Sequence, residues 1–337
     1  MKERAFYIDA VKGVAILCIT FLHFESGVIP GWLNVWIGLF MITTFYFTSG
    51  WINGVQKRKT GVKELLKRRV KQLGVPYLWF SALIILFDII WVACGCMESN
   101  ILLRDIYKTI TLRGIGTLWF LPTLVIGEAI FCYIKNSKRR WLYAILGMLA
   151  VFLVSHLYDS VWSSYKDLST TYKLIDSPLQ PLVRGIKAWP VVATGYLVAK
   201  YLWPIIAKWN RWIIGFVAVG ILSFSISLII SPVFNIYYLN HILSNTLPAM
   251  GFILLFYIIG NKNYISRFFI YWGVNSLVLM CTHYSITEEI FKTIDKKFVH
   301  SGFTGPVTIL YFIITIIISY PVVTLFNGKL KFMTGKK

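Results

Sequence analysis

Three ionisable side chains interrupt the first long apolar stretch of the sequence: Asp9, Lys12 and His23. Lys12 and His23 point from the same face of a helix, because eleven steps of 100° return to within about 20° of the starting direction. Asp9 lies one turn before Lys12, where the two can pair, and His23 lies about 16 Å farther along the axis. An imidazole exchanges a proton near neutral pH and a paired ammonium can hold an anion, so this stripe could serve acid–base chemistry. The alternative is that Lys12 extends to water and that His23 binds a backbone carbonyl at an interface.

The densest basic segment of the chain, residues 57 to 71, also has helical spacing. Apolar side chains fall on one face and cations on the other; the apolar set is Val62, Leu65, Leu66, Val70 and Leu73, and the basic set is Lys63, Lys67, Arg68 and Lys71. The pattern predicts an amphipathic helix along a membrane surface, within a basic connection at about residues 54–73. Two roles are open for it: attraction to anionic lipid, or a phosphate clamp for a cytosolic cofactor.

Among the other ionisable residues in apolar stretches, four are candidates for a function, because charge there is costly unless it is paired or faces a cavity. Asp88 and Glu128 lie near the middle of their stretches, and each is predicted to pair with a Lys or Arg on another helix. His283 is followed by glutamates at 288 and 289, which could orient it or begin a solvated loop, and Arg184 enters a further stretch. The cysteine spacing matches no zinc pattern, so no metal site is predicted.

These residues belong to a chain with the composition of a membrane protein. Its 337 residues are 57% apolar and 14% charged, with a mean hydropathy of +0.67. A soluble chain would carry about a quarter charged residues, so a soluble multidomain protein is excluded. We predict an all-α polytopic membrane protein, a single domain over residues 1–337 without a large soluble part. Ten runs are long enough to span a bilayer: Phe6 to Phe24, Trp32 to Asn53, Gly74 to Cys96, Ile115 to Ile134, Trp141 to Tyr158, Leu182 to Tyr201, Trp212 to Ile230, Ile242 to Gly260, Phe268 to Ile286 and Pro306 to Phe326.

The distribution of Lys and Arg predicts how these helices are oriented. The connections on the amino-terminal side hold 23 of the 34 basic residues, and those on the other side hold 8. Because Lys and Arg accumulate in cytoplasmic connections, both termini are predicted to be cytoplasmic. Topology thus accounts for most of the net charge of +20, and no nucleic-acid partner is predicted.

Five short motifs, in order along the chain, resemble those of the transmembrane acyltransferase-3 family, which includes bacterial cell-surface sugar O-acetyltransferases. The first joins Asp9 and Lys12-Gly13 to His23, with ten residues between Lys12 and His23. Lys instead of Arg is similar to the branch of fucose 4-O-acetylases and biofilm-polysaccharide acyltransferases. The other motifs are Phe47-Thr48-Ser49-Gly50, the basic run from Lys67 that ends in Pro76-Tyr77, Trp119-Phe120-Leu121, and Asn275-Ser276-Leu277 ahead of His283. Where the family often has Arg-x-x-Arg before the proline, this chain offers Arg69 with Gln72 or Arg68 with Lys71.

The resemblance implies transfer of an acetyl or similar small acyl group from cytosolic acyl-CoA, such as acetyl-CoA, to a sugar hydroxyl. The acceptor would be a cell-surface or lipid-linked glycan, and the enzyme would be a multi-pass protein of the bacterial plasma membrane, surrounded by lipid. An exporter of glycan or lipid-linked sugar is the alternative class.

Roles for individual residues follow as hypotheses. His23 is the general base or carries an acyl group, Asp9 holds Lys12, and Lys12 stabilises a phosphate or the thioester oxygen. Basic residues predicted to bind the donor phosphates are Arg68, Arg69 and Lys71; residues predicted to contact the acceptor are Trp119, Arg184, Asn275 and His283.

Overall fold

The computed structural model describes residues 5–24, 27–56, 60–165, 167–230, 237–299 and 305–335, with the backbone alone at 230 and 237–244. All regular structure in these ranges is helical. The α-helices are α1 (Phe6–Phe24), α2 (Gly31–Phe40), α3 (Thr43–Val55), α4 (Val62–Arg69), α5 (Val75–Ala93), α6 (Ser99–Ile110), α7 (Phe120–Asn136), α8 (Arg140–Val154), α9 (Ser163–Tyr165), α10 (Thr170–Leu197), α11 (Trp203–Ile206), α12 (Arg211–Ile230), α13 (Tyr237–Ile259), α14 (Tyr264–Val274), α15 (Ser276–Thr282), α16 (Glu289–Ile294) and α17 (Pro306–Asn327). Among the turns that join them are a π-helical turn at Val70–Gly74 and a 3₁₀ turn at Gly116–Trp119.

The described residues of the ten runs predicted to span a membrane are mainly helical. Exceptions are a break at Met41–Ile42, another at Asn275, and a few residues at the ends of runs, such as 94–96. Within the described ranges, seven helical stretches are long and apolar enough to cross a bilayer, and a bent pair, α14 with Ser276–Val299, makes up to eight. Of the two remaining runs, one lies in α10, whose 28 residues include several charged side chains, and the other lies in α13, described as a shorter apolar helix at Asn245–Ile259. The chain is therefore an all-α polytopic membrane protein, as predicted.

The contacts between residues divide the chain into two units, and each unit is made of three separate segments of the sequence. The first unit consists of Met1–Lys57, Ala193–His283 and Ile290–Val323, and the second of Arg58–Val192, Tyr284–Glu289 and Thr324–Lys337.

Helix α1 is the central element of the first unit. Thirteen of its 19 residues are buried, so most of its surface is covered by protein and not by lipid. Near the amino-terminal end of α1, Tyr7 contacts Trp51, Trp203 and Tyr257, with ring centroids 5.1 to 6.4 Å apart. Edge-to-face aromatic contacts of this kind favour one arrangement of the rings over its alternatives, which fixes this end of α1.

The second unit is built around α5, α7 and α10. The Tyr77 hydroxyl on α5 donates a hydrogen bond to the Thr109 carbonyl (2.9 Å), which ties α5 to α6. Phe80 stacks on Phe326, with ring centroids 5.0 Å apart. Helix α8 has no fully buried side chain, and it contacts its neighbours through few groups, such as the Tyr143 ring, which lies 5.4 Å from that of Tyr133. An apolar helix with so much exposed surface is typical of a position at the lipid-facing edge.

Candidate functional site

The ion pair predicted on α1 is present. Lys12 Nζ lies 2.8 Å from Asp9 Oδ1, and the two residues are one turn apart. Asp9 is 4% exposed, so the ammonium neutralises a carboxylate that burial would otherwise make costly. This pairing confirms that the charges on α1 face protein and not lipid.

Two glycines bring the backbones of α1 and α14 into contact beside this ion pair. A Cβ on Gly273 would overlap the Asp9 carbonyl, and a Cβ on Gly13 would overlap the Phe269 carbonyl. Only glycine permits such a close approach, and small residues have this role in membrane helix pairs generally. The glycine of the Lys12-Gly13 motif therefore has a packing function: it lets α14 lie directly against the charged turn of α1.

Asn275 lies at a sharp bend that redirects the chain from α14 into α15. The two helical directions differ by 62°. Asn275 is 5% exposed, and its side-chain amide donates a hydrogen bond to the Tyr271 carbonyl (2.8 Å), a carbonyl near the end of α14. The same carbonyl also accepts the backbone N–H of Asn275 (3.2 Å), so Asn275 is bound twice to the last turn of α14 at the bend that leads to His283.

His283 follows α15 directly and is completely buried. Its Nδ1 lies 2.7 Å from the Leu279 carbonyl oxygen. Because a carbonyl can only accept, Nδ1 carries the proton and Nε2 of the neutral ring carries a lone pair. Within the described ranges Nε2 has no hydrogen-bond partner. The backbone thus orients the ring and leaves Nε2 as a buried acceptor without a donor in the described part of the chain.

His23 and His283 lie together in the first unit. Their ring centroids are 5.1 Å apart and the ring planes are inclined by 44°. Two imidazoles at this distance are close enough for a charge on one ring to be felt by the other. The sequence predicted His23 as a base and His283 as an acceptor contact; their proximity adds a second candidate base to the first.

The basic run in the second unit is continuous with the third predicted span. Val62–Ala93 forms one helical stretch of 32 residues, about 48 Å long at 1.5 Å per residue. A hydrocarbon core is about 30 Å thick, so the basic first turns extend beyond it. Residues 57–59 of the predicted connection lie outside the described ranges.

The three predicted phosphate-binding residues differ in their surroundings. Arg69 donates hydrogen bonds from Nε and Nη2 to both carboxylate oxygens of Glu128 and from Nη1 to Gln72 (3.0 Å). Glu128 is 1% exposed, which confirms the predicted pairing of this intramembrane acid with a cation on another helix. Arg68 is half-buried, with no hydrogen bond to Nε in the described part of the chain, and Lys71 is exposed. Arg69 is therefore bound to Glu128, whereas Arg68 is half-buried and Lys71 is exposed, and neither of these two is bound to Glu128.

Trp119 and Arg184 also lie together. The guanidinium carbon of Arg184 is 4.2 Å from the centroid of the Trp119 ring, a cation–π contact that joins the start of α7 to α10. Both residues line a cavity of about 330 Å³ in the second unit. Asp88 lines the same cavity, and the prediction of a salt bridge for Asp88 is wrong within the described ranges, because the nearby Arg104 and Lys108 are bound to Asp105.

Sequence patterns missed the cations of this cavity. Arg104, Lys108 and Arg113 are the three basic residues of one connection on the side predicted to be outside. Lys and Arg normally accumulate in cytoplasmic connections, so three basic residues in one outer connection are unusual. This departure is the sequence signal that could have identified Arg104, Lys108 and Arg113 as candidates. No group of three or more metal-ligating side chains is found in the part of the chain that the structure describes.

Comparison with protein families gives one match that covers nearly the whole chain. Residues 6–326 match the family described as an acyltransferase domain, the acyltransferase-3 family of the motifs above. Neither the comparison with curated proteins nor that with solved structures gave a match.

Proposed function

The chain belongs to the acyltransferase-3 family, and from this premise we propose that it transfers an acetyl or similar small acyl group from cytosolic acyl-CoA to a sugar hydroxyl. The acceptor in this proposal is a cell-surface or lipid-linked glycan, and the enzyme works in the bacterial plasma membrane. Membership of the family supports a membrane acyltransferase. The acyl-CoA donor, the glycan acceptor and the location in the bacterial plasma membrane are parts of the proposal. The resemblance of the Lys12-Gly13 motif to that of the fucose 4-O-acetylase-like branch supports a sugar acceptor in this proposal.

The pair His23 and His283 is the observation that carries the proposal. His23 takes the proton of the acceptor hydroxyl as its oxygen attacks the thioester carbonyl. The new carbon–oxygen bond forms, the carbon–sulfur bond breaks, and the proton returns to the leaving thiolate of coenzyme A. His283 supports this step with a lone pair on Nε2, which can share the proton that His23 receives. An acyl-histidine on His23 is the second route consistent with these groups.

The donor requires positive charge for its phosphates and for the developing oxyanion. Of the three predicted phosphate-binding residues, Arg68 and Lys71 are not held by Glu128, so we assign the phosphates to them. Lys12, held by Asp9 in a mostly buried position, is suited to stabilise a phosphate or the thioester oxygen, since electrostatic stabilisation is strongest where water is excluded.

Acyl transfer by the purified protein tests the proposal. Full-length protein in lipid nanodiscs would be given acetyl-CoA labelled in the acetyl group, and binding, thioester loss and labelled glycan would be measured. His23→Ala should reduce the rate of transfer by about 100-fold or more, the usual contribution of a general base, and leave acetyl-CoA affinity unchanged. His156→Ala is the control, because His156 is an exposed histidine outside the pair.

Two outcomes would overturn the proposal. Transfer near the wild-type rate in folded His23→Ala protein removes the catalytic assignment. An absence of acetyl-CoA binding favours the exporter class, because an exporter of glycan has no need for the donor. Mass spectrometry of surface polysaccharide from cells with and without the protein identifies the acceptor.

A further inference from the structure

The cavity in the second unit has the dimensions and lining of a ligand site. Its volume of about 330 Å³ lies at the lower end of the range of about 300 to 1,000 Å³ for small-molecule pockets. The lining comes from α5, α6, α10, the connection before α7 and residues 284–289. It is rich in ionisable groups: Asp88, Arg104, Asp105, Lys108, Arg113 and Glu289 all line it. A cavity with this many charges suits a polar ligand and not a lipid chain.

Asp88 is the first sign that a ligand is required. The residue is 3% exposed, and its Oδ2 atom has no hydrogen-bond partner within the described ranges. A buried carboxylate oxygen without a hydrogen-bond donor lowers the stability of the fold, and a bound ligand that supplies a donor removes this cost. Asp105, the other aspartate of the cavity, has Lys108 at 2.8 Å and Arg104 at 3.2 Å from Oδ1. Asp88 is therefore the carboxylate that a hydroxyl-bearing ligand would satisfy.

Arg113 is the second sign. It is half-buried and lines the cavity, and its side chain makes no direct ion pair or hydrogen bond within the described part of the chain. Its charge acts on Asp176 from a distance, and that carboxylate already accepts hydrogen bonds from Tyr158, Trp162 and Gln180. A guanidinium presents several parallel donors, which match the two oxygens of a carboxylate or phosphate. Four cations line the cavity against three carboxylates when Arg184 is included, so one negative charge would balance it.

The backbone around Arg113 is held in an unusual conformation. Leu112 has φ of 57°, a left-handed value that is uncommon for a residue with a side chain, and Gly114 has φ of 76°. The Thr111 hydroxyl lies 2.7 Å from the Ser177 hydroxyl, which anchors the turn to α10. Backbone strain of this kind is maintained where a side chain must be aimed, and the side chain that this turn delivers to the cavity is Arg113.

We propose that this cavity binds an acidic sugar unit of the acceptor glycan, with Asp88 Oδ2 accepting a hydrogen bond from a sugar hydroxyl and Arg113 holding the carboxylate or phosphate. The proposal rests on the proposed function, because it takes the acceptor to be a glycan. It goes beyond that function by specifying a charged acceptor and the two residues that select it.

Binding of three simple sugars to the full-length protein in nanodiscs tests the proposal. The probes are glucuronate, glucose 6-phosphate and glucose, which share the ring and differ in the acidic group; saturation-transfer NMR gives their dissociation constants. The acidic sugars should bind at least tenfold more tightly than glucose. Preference for glucuronate or for glucose 6-phosphate identifies the acidic group.

Variants that each remove one charge distinguish the contributions of Arg113 and Asp88. Arg113→Gln should weaken binding of the acidic sugars about tenfold and leave glucose unaffected, whereas Asp88→Asn should weaken all three. Lys173→Gln and Asp167→Asn are the controls, since both lie on exposed positions outside the cavity and should bind like wild type. Melting temperatures of all variants show whether each protein is folded.

The proposal is overturned if glucose binds as tightly as the acidic sugars, if none of the three binds, or if folded Arg113→Gln protein keeps the preference. Acetyl-CoA binding and thioester loss are measured in the same samples. Their absence contradicts the proposed function, whereas their presence together with any of the results just named contradicts the cavity assignment alone.

Discussion

The imidazole of His283 faces that of His23, with ring centroids 5.1 Å apart. Each ring reaches this position by a different route: His23 lies in the last turn of α1, and His283 follows a 62° bend and a seven-residue helix. The hydrogen bond from Nδ1 of His283 to Leu279 determines which nitrogen is basic. Together these contacts predict that the two histidines act as one unit.

A double-mutant cycle tests whether they do. His23→Ala and His283→Ala should each lower the rate of acyl transfer by about 100-fold or more, with little change in acetyl-CoA affinity. The double variant should be no more than about tenfold slower than the slower single variant, because residues that act together are not additive. If the single effects multiply, the two histidines work independently.

Close packing of α1 against α14 predicts a sharp effect of one added methyl group. Gly273→Ala should lower the free energy of unfolding by about 1–3 kcal/mol or prevent folding, because the new Cβ overlaps the Asp9 carbonyl. Gly220→Ala is the control: that glycine also lies in a helix, α12, and nothing lies within 4 Å of the added atom. Retention of the folded peak in size-exclusion chromatography after stepwise heating measures both. Equal stability of the two variants would contradict the close approach.

The pairing of Arg69 with Glu128 predicts that neighbouring arginines have different roles. Arg69→Ala should destabilise the protein by about 3–5 kcal/mol, since it leaves a buried carboxylate without its cation. The double variant Arg69→Met with Glu128→Gln should recover much of this loss. Melting temperatures in detergent check both expectations.

Donor binding provides the complementary measurement on the same segment. Arg68→Ala should keep wild-type stability and raise the acetyl-CoA dissociation constant about tenfold, the loss of one charged hydrogen bond. Lys67→Ala, an exposed change next to it, should do neither. A stable Arg69→Ala protein with weakened acetyl-CoA binding would instead place Arg69 among the donor contacts.

Helix positions could be predicted because the thickness of a bilayer sets the length of an apolar run. The same holds for the contact between Asp9 and Lys12, which depends only on helical geometry within one element. The proximity of His23 and His283 could not be predicted in this way, because it depends on the bend at Asn275 and on glycine contacts between helices far apart in sequence. Periodicity describes one helix at a time and carries no information about which helices meet.

The charged cavity shows a second limit. Arg104, Lys108 and Arg113 were visible in the sequence as basic residues on the side predicted to be outside, but their number alone gave them no function. Their meaning depends on Asp105 binding two of them and leaving Arg113, which is a property of the folded connection. Which cation pairs with which carboxylate depends on the folded structure and cannot be read from the sequence. The wrong prediction of a salt bridge for Asp88 shows the same limit.

The buried carboxylate of Asp176, located before the predicted sixth span, leads to a prediction about pH. Tyr158 and Trp162 donate hydrogen bonds to its Oδ1 (2.6 and 3.0 Å), and Gln180 donates to Oδ2 (2.7 Å). Burial alone would raise the pKa of Asp176, but the hydrogen bonds from Tyr158, Gln180 and Trp162, together with the positive charge of Arg113, outweigh burial and hold the pKa below its ordinary value. These donors therefore favour the ionised form in the folded state.

A carboxyl whose pKa is lower in the folded state than in the unfolded state stabilises the fold above the unfolded value, and this contribution is lost as the pH falls through the folded value. Unfolding measured from pH 7.5 down to the acid limit of solubility should show this loss in wild-type protein. Asp176→Asn should reduce stability at neutral pH by about 1–3 kcal/mol and should flatten the acid dependence, because asparagine does not titrate. Asp167→Asn, at an exposed position, should leave the wild-type curve unchanged, and an unchanged acid dependence in Asp176→Asn would show that other carboxylates cause it.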